Sequence, residues 1–401
     1  MSGNSGATTT GELRAHNRVR LLRAVHDGGA TLTRSRLTRD LELARGTASV
    51  LVGGLAEDAL LHEEPAPEQT RGRPTMVPGP HPRGPVVLAA DLREDAWELA
   101  ACELGGRTAV LEVRGHDGTP RGALEPLGTA LREHRARLRG RAVGAGVAVA
   151  GPIGPGGRAD VPHLGWRAVD VPALLGLPSG WARVGNDTAL AGLAEARRGL
   201  LRGVGVGLHL HVDFDLGGVL VVGGRPLEGA GGMGAEFGHM PLTGGSLPCA
   251  CGATGCWALD VGANALLRHM GLAHGGGRGR EQAERVMAAA RAGEPAAARA
   301  VAAAARALGQ GAAALVNAHD PEVVTLSGLA ADLHGQAGAV LAESLTGGLM
   351  TIRRERPPLV TPAALGRRAS LVGAMESVFD AFLTPEGLAG WLARDTPGST
   401  V

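Results

Sequence analysis

Residues 236–256 read EFGHMPLTGGSLPCACGATGC. One His and three Cys fall within eighteen residues here, as His239, Cys249, Cys251 and Cys256. Imidazole and thiolate suit zinc, and the glycines among them permit the tight turns that gather four such groups into a tetrahedron. Three of the four cysteines of the chain lie in this stretch; the fourth, Cys102, sits in an apolar strand and reads as inert core. Four protein ligands leave no open position, so the ion expected is a structural Zn2+ stapling a loop that lacks a core of its own. Free thiols are the alternative, and a disulfide is disfavoured in a reducing compartment.

Outward from this loop the texture is α/β. PVVLAAD (85–91), AWELAACEL (96–104) and GRTAVLEVR (106–114) read as three successive strands, followed by a helical stretch and AVGAGVAVAG (142–151). The strand ARVGND (182–187) leads into a helix over 187–198. A second strand group, VGVGLHLHV (204–212) and GVLVVGG (218–224), is followed by helices to Asn317, the strand EVVTLS (322–327), another helix, PLVTP (358–362) and a last helix over 369–383. Two groups of adjacent strands, each followed by helices, imply a duplicated α/β architecture with mixed sheets. Composition agrees with this. The chain has 401 residues, 44% of them hydrophobic, too apolar for disorder, and no run of about 18 apolar residues that would span a bilayer. The first residues lack the apolar middle of a signal peptide, so a cytoplasmic location is expected.

The net charge of +1 hides a basic N-terminus, where eight Arg face Asp27, Asp40 and Glu42 between residues 14 and 45. This region reads as three short helices: one stepping through Leu13, Asn17, Leu21 and Val25, one capped by Thr33, and one over about 44–57 with Ala48, Leu51, Val52 and Leu55 inward. LLHEE and TMV then form two strands around a turn containing Arg71-Gly72-Arg73-Pro74. Helix-helix-helix-hairpin with an Arg-rich turn is the plan of a winged helix-turn-helix that reads double-stranded DNA. Arg45, Thr47 and Ser49 on the third helix are placed to reach bases, with Val50 against a thymine methyl. Arg14, Arg18, Arg71 and Arg73 suit phosphate, and Arg34 and Arg36 add to the basic face. A helical cap with a solvated Arg face is the alternative. The expected boundaries are 12–78 for the reader, 79–85 for a Pro/Gly linker, 86–385 for the α/β domain with its zinc loop at 236–258, and 386–401 for a tail.

The Glu-x-Gly-His and Cys-x-Cys-Gly-x-x-Gly-Cys pattern of residues 236–256 resembles the zinc motif of the ROK family (repressors, open reading frames, kinases). The resemblance extends to GVAVAGPIG (146–154), HLGW (163–166), GNDTALAGLAE (185–195), GGRPLEGAGGMGAEFGH (223–239) and PEVVTLSGL (321–329), and to the N-terminal reader. It implies a two-lobed actin-like, hexokinase-like fold of duplicated ribonuclease H-like halves, with a ligand cleft between them. It also implies sugar contacts from Asn186, Asp187, Glu236 and His239, with Asp187 the general base in kinase members. A further sugar-binding Glu of the family is replaced by Ala258, which forfeits a hydrogen bond worth about 1.5–3 kcal/mol.

The phosphate loops of the family are replaced too. Its Asp-x-Gly-Gly-Thr reads Asp91-Leu92-Arg93-Glu94-Asp95, and its Gly-Thr-Gly-x-Gly reads Asp213-Phe214-Asp215-Leu216-Gly217. A carboxylate about 4 Å from a phosphate oxygen costs roughly 4 kcal/mol at an effective dielectric of 20. The expectation is therefore a DNA-binding regulator, not an enzyme and without catalytic residues. It would respond to a sugar-like or other small effector and act as a homodimer or homotetramer without a membrane partner. A sugar kinase, or a regulator with a decayed sensor, are the alternatives. Asp213 and Asp215 share one face of an extended segment and could hold a divalent cation or act as an acid–base pair, or else be solvated loop carboxylates. Trp166 could stack on a sugar face or close the lobe as core, and His209 and His211 read as core or cleft wall.

Overall fold

Leu21, Leu22 and Val25 bury one face of helix α1 (Thr10–Asp27). A computed structural model describes residues 10–66, 75–272 and 279–394 of the chain. Helix α2 (Arg34–Asp40) starts as expected at Thr33, whose hydroxyl accepts from the Arg36 amide at 3.2 Å. Helix α3 (Arg45–Glu57) has no side-chain cap, because Ala44 stands at that position. Its Gly53 and Gly54 each cost about 1 kcal/mol of helix propensity, offset by burial of Ala48, Leu51, Val52 and Leu55. Strands β1 (Leu61–Pro65) and β2 (Met76–Pro80) complete the unit as an antiparallel hairpin. Arg71 and Arg73 lie outside the described residues.

The expected linker is not a loose tether. Its first residues continue β2, and Gly84 is buried so closely that an added Cβ would stand 3.1 Å from the Ala59 carbonyl. Arg141 donates to the Gly84 carbonyl at 2.9 Å. Pro80, Pro82 and Pro85 fix φ through this passage and stiffen it.

In the first lobe β3 (Val86–Leu92), β4 (Ala96–Glu103) and β5 (Thr108–Gly115) form an antiparallel meander. Helix α4 (Pro120–Arg137) leads to β6 (Ala142–Val149), parallel to β3. A small antiparallel sheet follows, built from β7 (Ile153–Gly154), β8 (Arg158–Val161) and β9 (Trp166–Asp170), then helix α5 (Val171–Leu175). The spacing gave no sign of this sheet, whose strands are too short to alternate visibly. Strand β10 (Ala182–Asn186) adds parallel to β6 and runs into helix α6 (Asp187–Arg198). The order is β10-β6-β3-β4-β5. β3 reads as continuously apolar because helices cover both of its faces: Leu88, Ala90 and Leu92 pack with α4 residues, Val87 and Ala89 with Ala374 and Met375.

The second lobe repeats the plan. Strands β11 (Val206–Val212), β12 (Leu216–Val222) and β13 (Arg225–Pro226) form a meander. Helices α7 (Ala258–Val261), α8 (Ala263–His269), α9 (Arg280–Arg291) and α10 (Pro295–His319) follow. Strand β14 (Val323–Gly328), helices α11 (Leu329–Gly348) and α12 (Thr351–Arg354) and strand β15 (Leu359–Pro362) complete it. Its order, β13-β12-β11-β14-β15, matches that of the first lobe strand for strand. The duplication is thus visible in topology where the sequence showed no repeat.

Helix α13 (Ala369–Phe382) returns to the first lobe and packs on α6. Residues expected to belong to a tail instead form α14 (Pro385–Leu392), which rests on the N-terminal unit. Leu388 is buried, and the Trp391 indole donates to the Asp58 carbonyl at 2.9 Å. One hydrophobic cluster therefore runs through α1, α3, β3, β4, α13 and α14, joining the N-terminal unit to the first lobe. Among the described residues, no helix is long and apolar enough to cross a membrane.

Candidate ligand cleft and metal centre

The ligand atoms of His239, Cys249, Cys251 and Cys256 all lie within 4.8 Å of one another. The Cys251 and Cys256 sulfurs are 3.7 Å apart, as are the Cys249 sulfur and the His239 Nδ1. Zn–S bonds of about 2.3 Å in a tetrahedron set adjacent sulfurs near 3.8 Å apart, so the donor set fits zinc in type, number and spacing. Bound there, the ion would crosslink the loop without reacting. Cys102 is a buried free thiol whose pKa burial pushes up to about 12, the inert core residue expected.

Asn186 and Asp187 stand where β10 becomes α6. The Asn186 Oδ1 caps the helix by accepting from the Ala189 amide at 2.8 Å, while its Nδ2 donates to the Gly151 carbonyl at 3.0 Å. Asp187 Oδ1 accepts from the Thr188 amide at 2.6 Å. Both residues line a cavity of about 380 Å³ between the lobes, together with Glu236 and His239. The structure thus brings together all four sugar-contact candidates, which span more than fifty positions in sequence. Burial pushes the carboxyls of Asp187 and Glu236 up to about 7. For Asp187 the carboxylates of Glu94 and Asp91 add to this, and His211 opposes it. A carboxyl that titrates near neutrality can take the proton of a bound hydroxyl.

The same cavity holds a dense network of ion pairs. Arg93 lies 3.6 Å from Asp91 and 3.9 Å from Glu98. His163 bridges the two segments that replace the phosphate loops, with Nε2 3.4 Å from Glu94 and Nδ1 3.5 Å from Asp215. Asp213 pairs with Arg280 at 3.3 Å. Asp213 and Asp215 are therefore partnered, not simply solvated, and among the described residues the His239, Cys249, Cys251 and Cys256 cluster is the one group found with metal-ligand geometry. His163 opens the HLGW stretch, but neither its bridging role nor that of Arg280 was announced by the spacing, because each is far from both loops in sequence. His209 is core: burial holds its pKa down to about 3, and it meets Thr325 at 2.9 Å and Ser327 at 3.0 Å. His211 reaches the cavity with its Nδ1 2.9 Å from Ser327. Trp166 is core, donating to the Gly118 carbonyl at 2.8 Å.

On the N-terminal unit, Arg45, Thr47, Ser49 and Val50 are exposed along α3, Val50 by 62%. Arg14 and Arg36 are exposed as well, Arg36 within reach of Asp40 at 3.3 Å. Arg18 turns inward to Asp58, and Arg34 pairs with Glu63 of the hairpin at 3.0 Å. These two guanidiniums hold the unit together, a use that local spacing does not reveal.

In sequence the chain is similar to a kanosamine kinase of Amycolatopsis mediterranei, 32% identical over 61% of this chain and 81% of that protein. It is also similar to a glucokinase of Streptomyces coelicolor, 29% identical over 54% of this chain and 73% of that protein. In structure it is similar to a ROK family transcriptional regulator that is a homologue of E. coli Mlc, with a TM-score of 0.70, 21% identity and coverage of 95% of this chain and 99% of that one. A ROK family glucokinase from Streptomyces griseus, solved with glucose and AMPPNP, matches with a TM-score of 0.63, 24% identity and coverage of 73% and 98%.

These likenesses overturn the expectation that the chain is not an enzyme, since its relatives by sequence are named kinases. That expectation gave the altered phosphate loops more weight than they carry, because a charge in a loop lowers nucleotide affinity without by itself excluding catalysis. The ROK family profile matches residues 109–380, more than half of the chain, and the protein belongs to the ROK family.

Proposed function

We propose that the protein is a DNA-binding transcriptional regulator, most simply a repressor, whose two-lobed domain binds a sugar-like ligand. The observation that carries this reading is the N-terminal unit itself. Three helices and a hairpin present the exposed α3 residues Arg45, Thr47, Ser49 and Val50, and the unit is fused to the first lobe through a shared core. The structural likeness to a ROK transcriptional regulator runs through 95% of the chain, whereas that to the glucokinase covers 73%. A homodimer or homotetramer would place two reading helices about 34 Å apart on successive major grooves of an operator. Zinc held by His239, Cys249, Cys251 and Cys256 would fix the loop beside the ligand. The direct test is electrophoretic shift with genomic fragments; absence of any sequence-specific complex at moderate salt rules this reading out.

A second reading, ATP-dependent phosphorylation of a sugar, is favoured by the kinase relatives and by Asp187, a half-buried carboxyl that is raised to about 7 and lines the cavity with Glu236. It requires ATP-dependent sugar phosphate formation that disappears in Asp187→Asn. The two readings are compatible in one chain, and the two assays report them separately.

A further inference from the structure

Helix α6 touches both functional ends of the molecule. Its cap Asn186 and first residue Asp187 line the cleft. At its far end Arg198 reaches His26 of the N-terminal unit, and Arg197 shares Asp380 of α13 with Arg23 of that unit. Twelve residues at 1.5 Å each make it about 18 Å long. Thr188 and every residue from Leu190 to Ala196 are buried, and Glu195, fully buried, fixes its end by accepting from the Leu200 amide at 2.9 Å and the Leu365 amide at 2.8 Å. Against α13 there is no slack: a Cβ added to Gly373 would lie 1.8 Å from the Leu190 carbonyl. A helix packed this closely moves as a unit, and it takes α13 with it.

At the far end these two helices grip α1. His26 and Glu376 are both 1% exposed, with Nε2 and Oε2 3.1 Å apart. Arg198 joins them. Its Nε pairs with Glu376, its Nη2 lies 2.9 Å from the His26 Nε2, and its Nη1 donates to the Gly105 carbonyl at 3.1 Å. Glu376 titrates below its usual range; burial opposes this, and the hydrogen bonds and charges of His26 and Arg198 outweigh it. Nearer the surface, Asp380 of α13 receives Arg197 at 2.8 Å and Arg23 of α1 at 3.1 Å. Arg23 also donates to the Asp380 and Leu383 carbonyls, both at 3.0 Å. A buried charge cannot slide past its partner without losing it, so this joint transmits displacement instead of absorbing it.

We propose that α6, with α13, is the element that carries cleft occupancy to the N-terminal unit, and that His26, Glu376 and Arg198 form the joint through which it acts. The inference rests on the ligand-binding regulator reading and names its route. A ligand seated on Asn186 and Asp187 displaces the start of α6; α13 follows; the seating of α1 changes, and with it the angle at which α3 meets DNA. Nothing is asked of the linker, which is too short and too packed to act as an independent hinge.

Hydrogen–deuterium exchange of the full chain, with and without saturating D-glucose or D-glucosamine, tests this. With a sugar that binds, exchange at residues 186–198 and in α1 both slow, by about tenfold, within the range of ordinary coupling between sites. Glu376→Gln keeps the shape of the joint and removes its charge, so the cleft response persists while the α1 response falls to within about twofold of none. Asp380→Asn, at a half-buried position, gives a smaller loss of the same kind and carries the test if Glu376→Gln does not fold. A wild-type response confined to 186–198, or an α1 response undiminished in both variants, overturns the proposal and leaves ligand binding standing. No response at 186–198 to either sugar overturns the sugar-binding reading itself.

Discussion

The His239 Nδ1 lies 3.7 Å from the Cys249 sulfur, while the same residue lines the interlobe cavity. One imidazole thus belongs to the metal cluster and to the ligand cleft. Metal loss should therefore be felt at the cleft as well as in the loop. Purified protein is expected to hold one zinc per chain by mass spectrometry, and Cys249→Ser to hold much less. The variant should melt at a lower temperature and bind sugar at least about tenfold more weakly, as is usual when a residue orienting a site is lost. Full affinity in metal-free protein would separate the two roles.

Asp187 ties stability to pH. Its carboxyl titrates near 3.8 in an unfolded chain and near 7 when folded, chiefly because it is buried. Between those values the folded state holds more protons than the unfolded one, so this group's contribution to stability falls as pH rises and the loss is complete above about 7. Asp187→Asn keeps the acceptor for the Thr188 amide and removes the charge. It should be more stable than wild type at pH 8, by about 1–3 kcal/mol in urea denaturation, and indistinguishable at pH 4. An equal difference at both values would show that the group is solvated.

The basic residues of the N-terminal unit divide by role. Arg45→Ala should weaken binding to a selected operator by about 1–3 kcal/mol and relax its sequence preference. Arg14→Ala should weaken binding to all sequences alike and reduce the salt slope by about one. Arg18→Ala should act mainly on folding, since Arg18 is bound to Asp58. Fluorescence anisotropy across a salt series, paired with thermal melts, distinguishes the three.

The contact of Gly373 with Leu190 predicts a steric limit. Gly373→Ala places a methyl group against backbone, not against a side chain that can turn away. A loss of about 1–3 kcal/mol is expected in chemical denaturation, as for other overpacked cores. A neutral substitution would show that α6 and α13 can separate, and would weaken the case that they move together.

Much of the molecule was legible from neighbouring residues alone. Local spacing revealed the His/Cys cluster, most strands and helices apart from the β7–β9 sheet, the cap at Thr33 and the bounds of α6, because each rests on residues a few positions apart. It also showed three helices and a hairpin ahead of an α/β domain. Tertiary structure decided which charges are available: Arg18 and Arg34 are consumed by Asp58 and Glu63, and Asp213 and Asp215 by Arg280 and His163. It decided that residues 385–392 brace the N-terminal unit instead of trailing from it. It also brought His26 to Glu376 across 350 positions. The physical reason is the same in each case. Periodicity and turn chemistry act over one or two turns of chain, whereas the partner of a buried charge is set by how whole elements pack, and no window of sequence contains that.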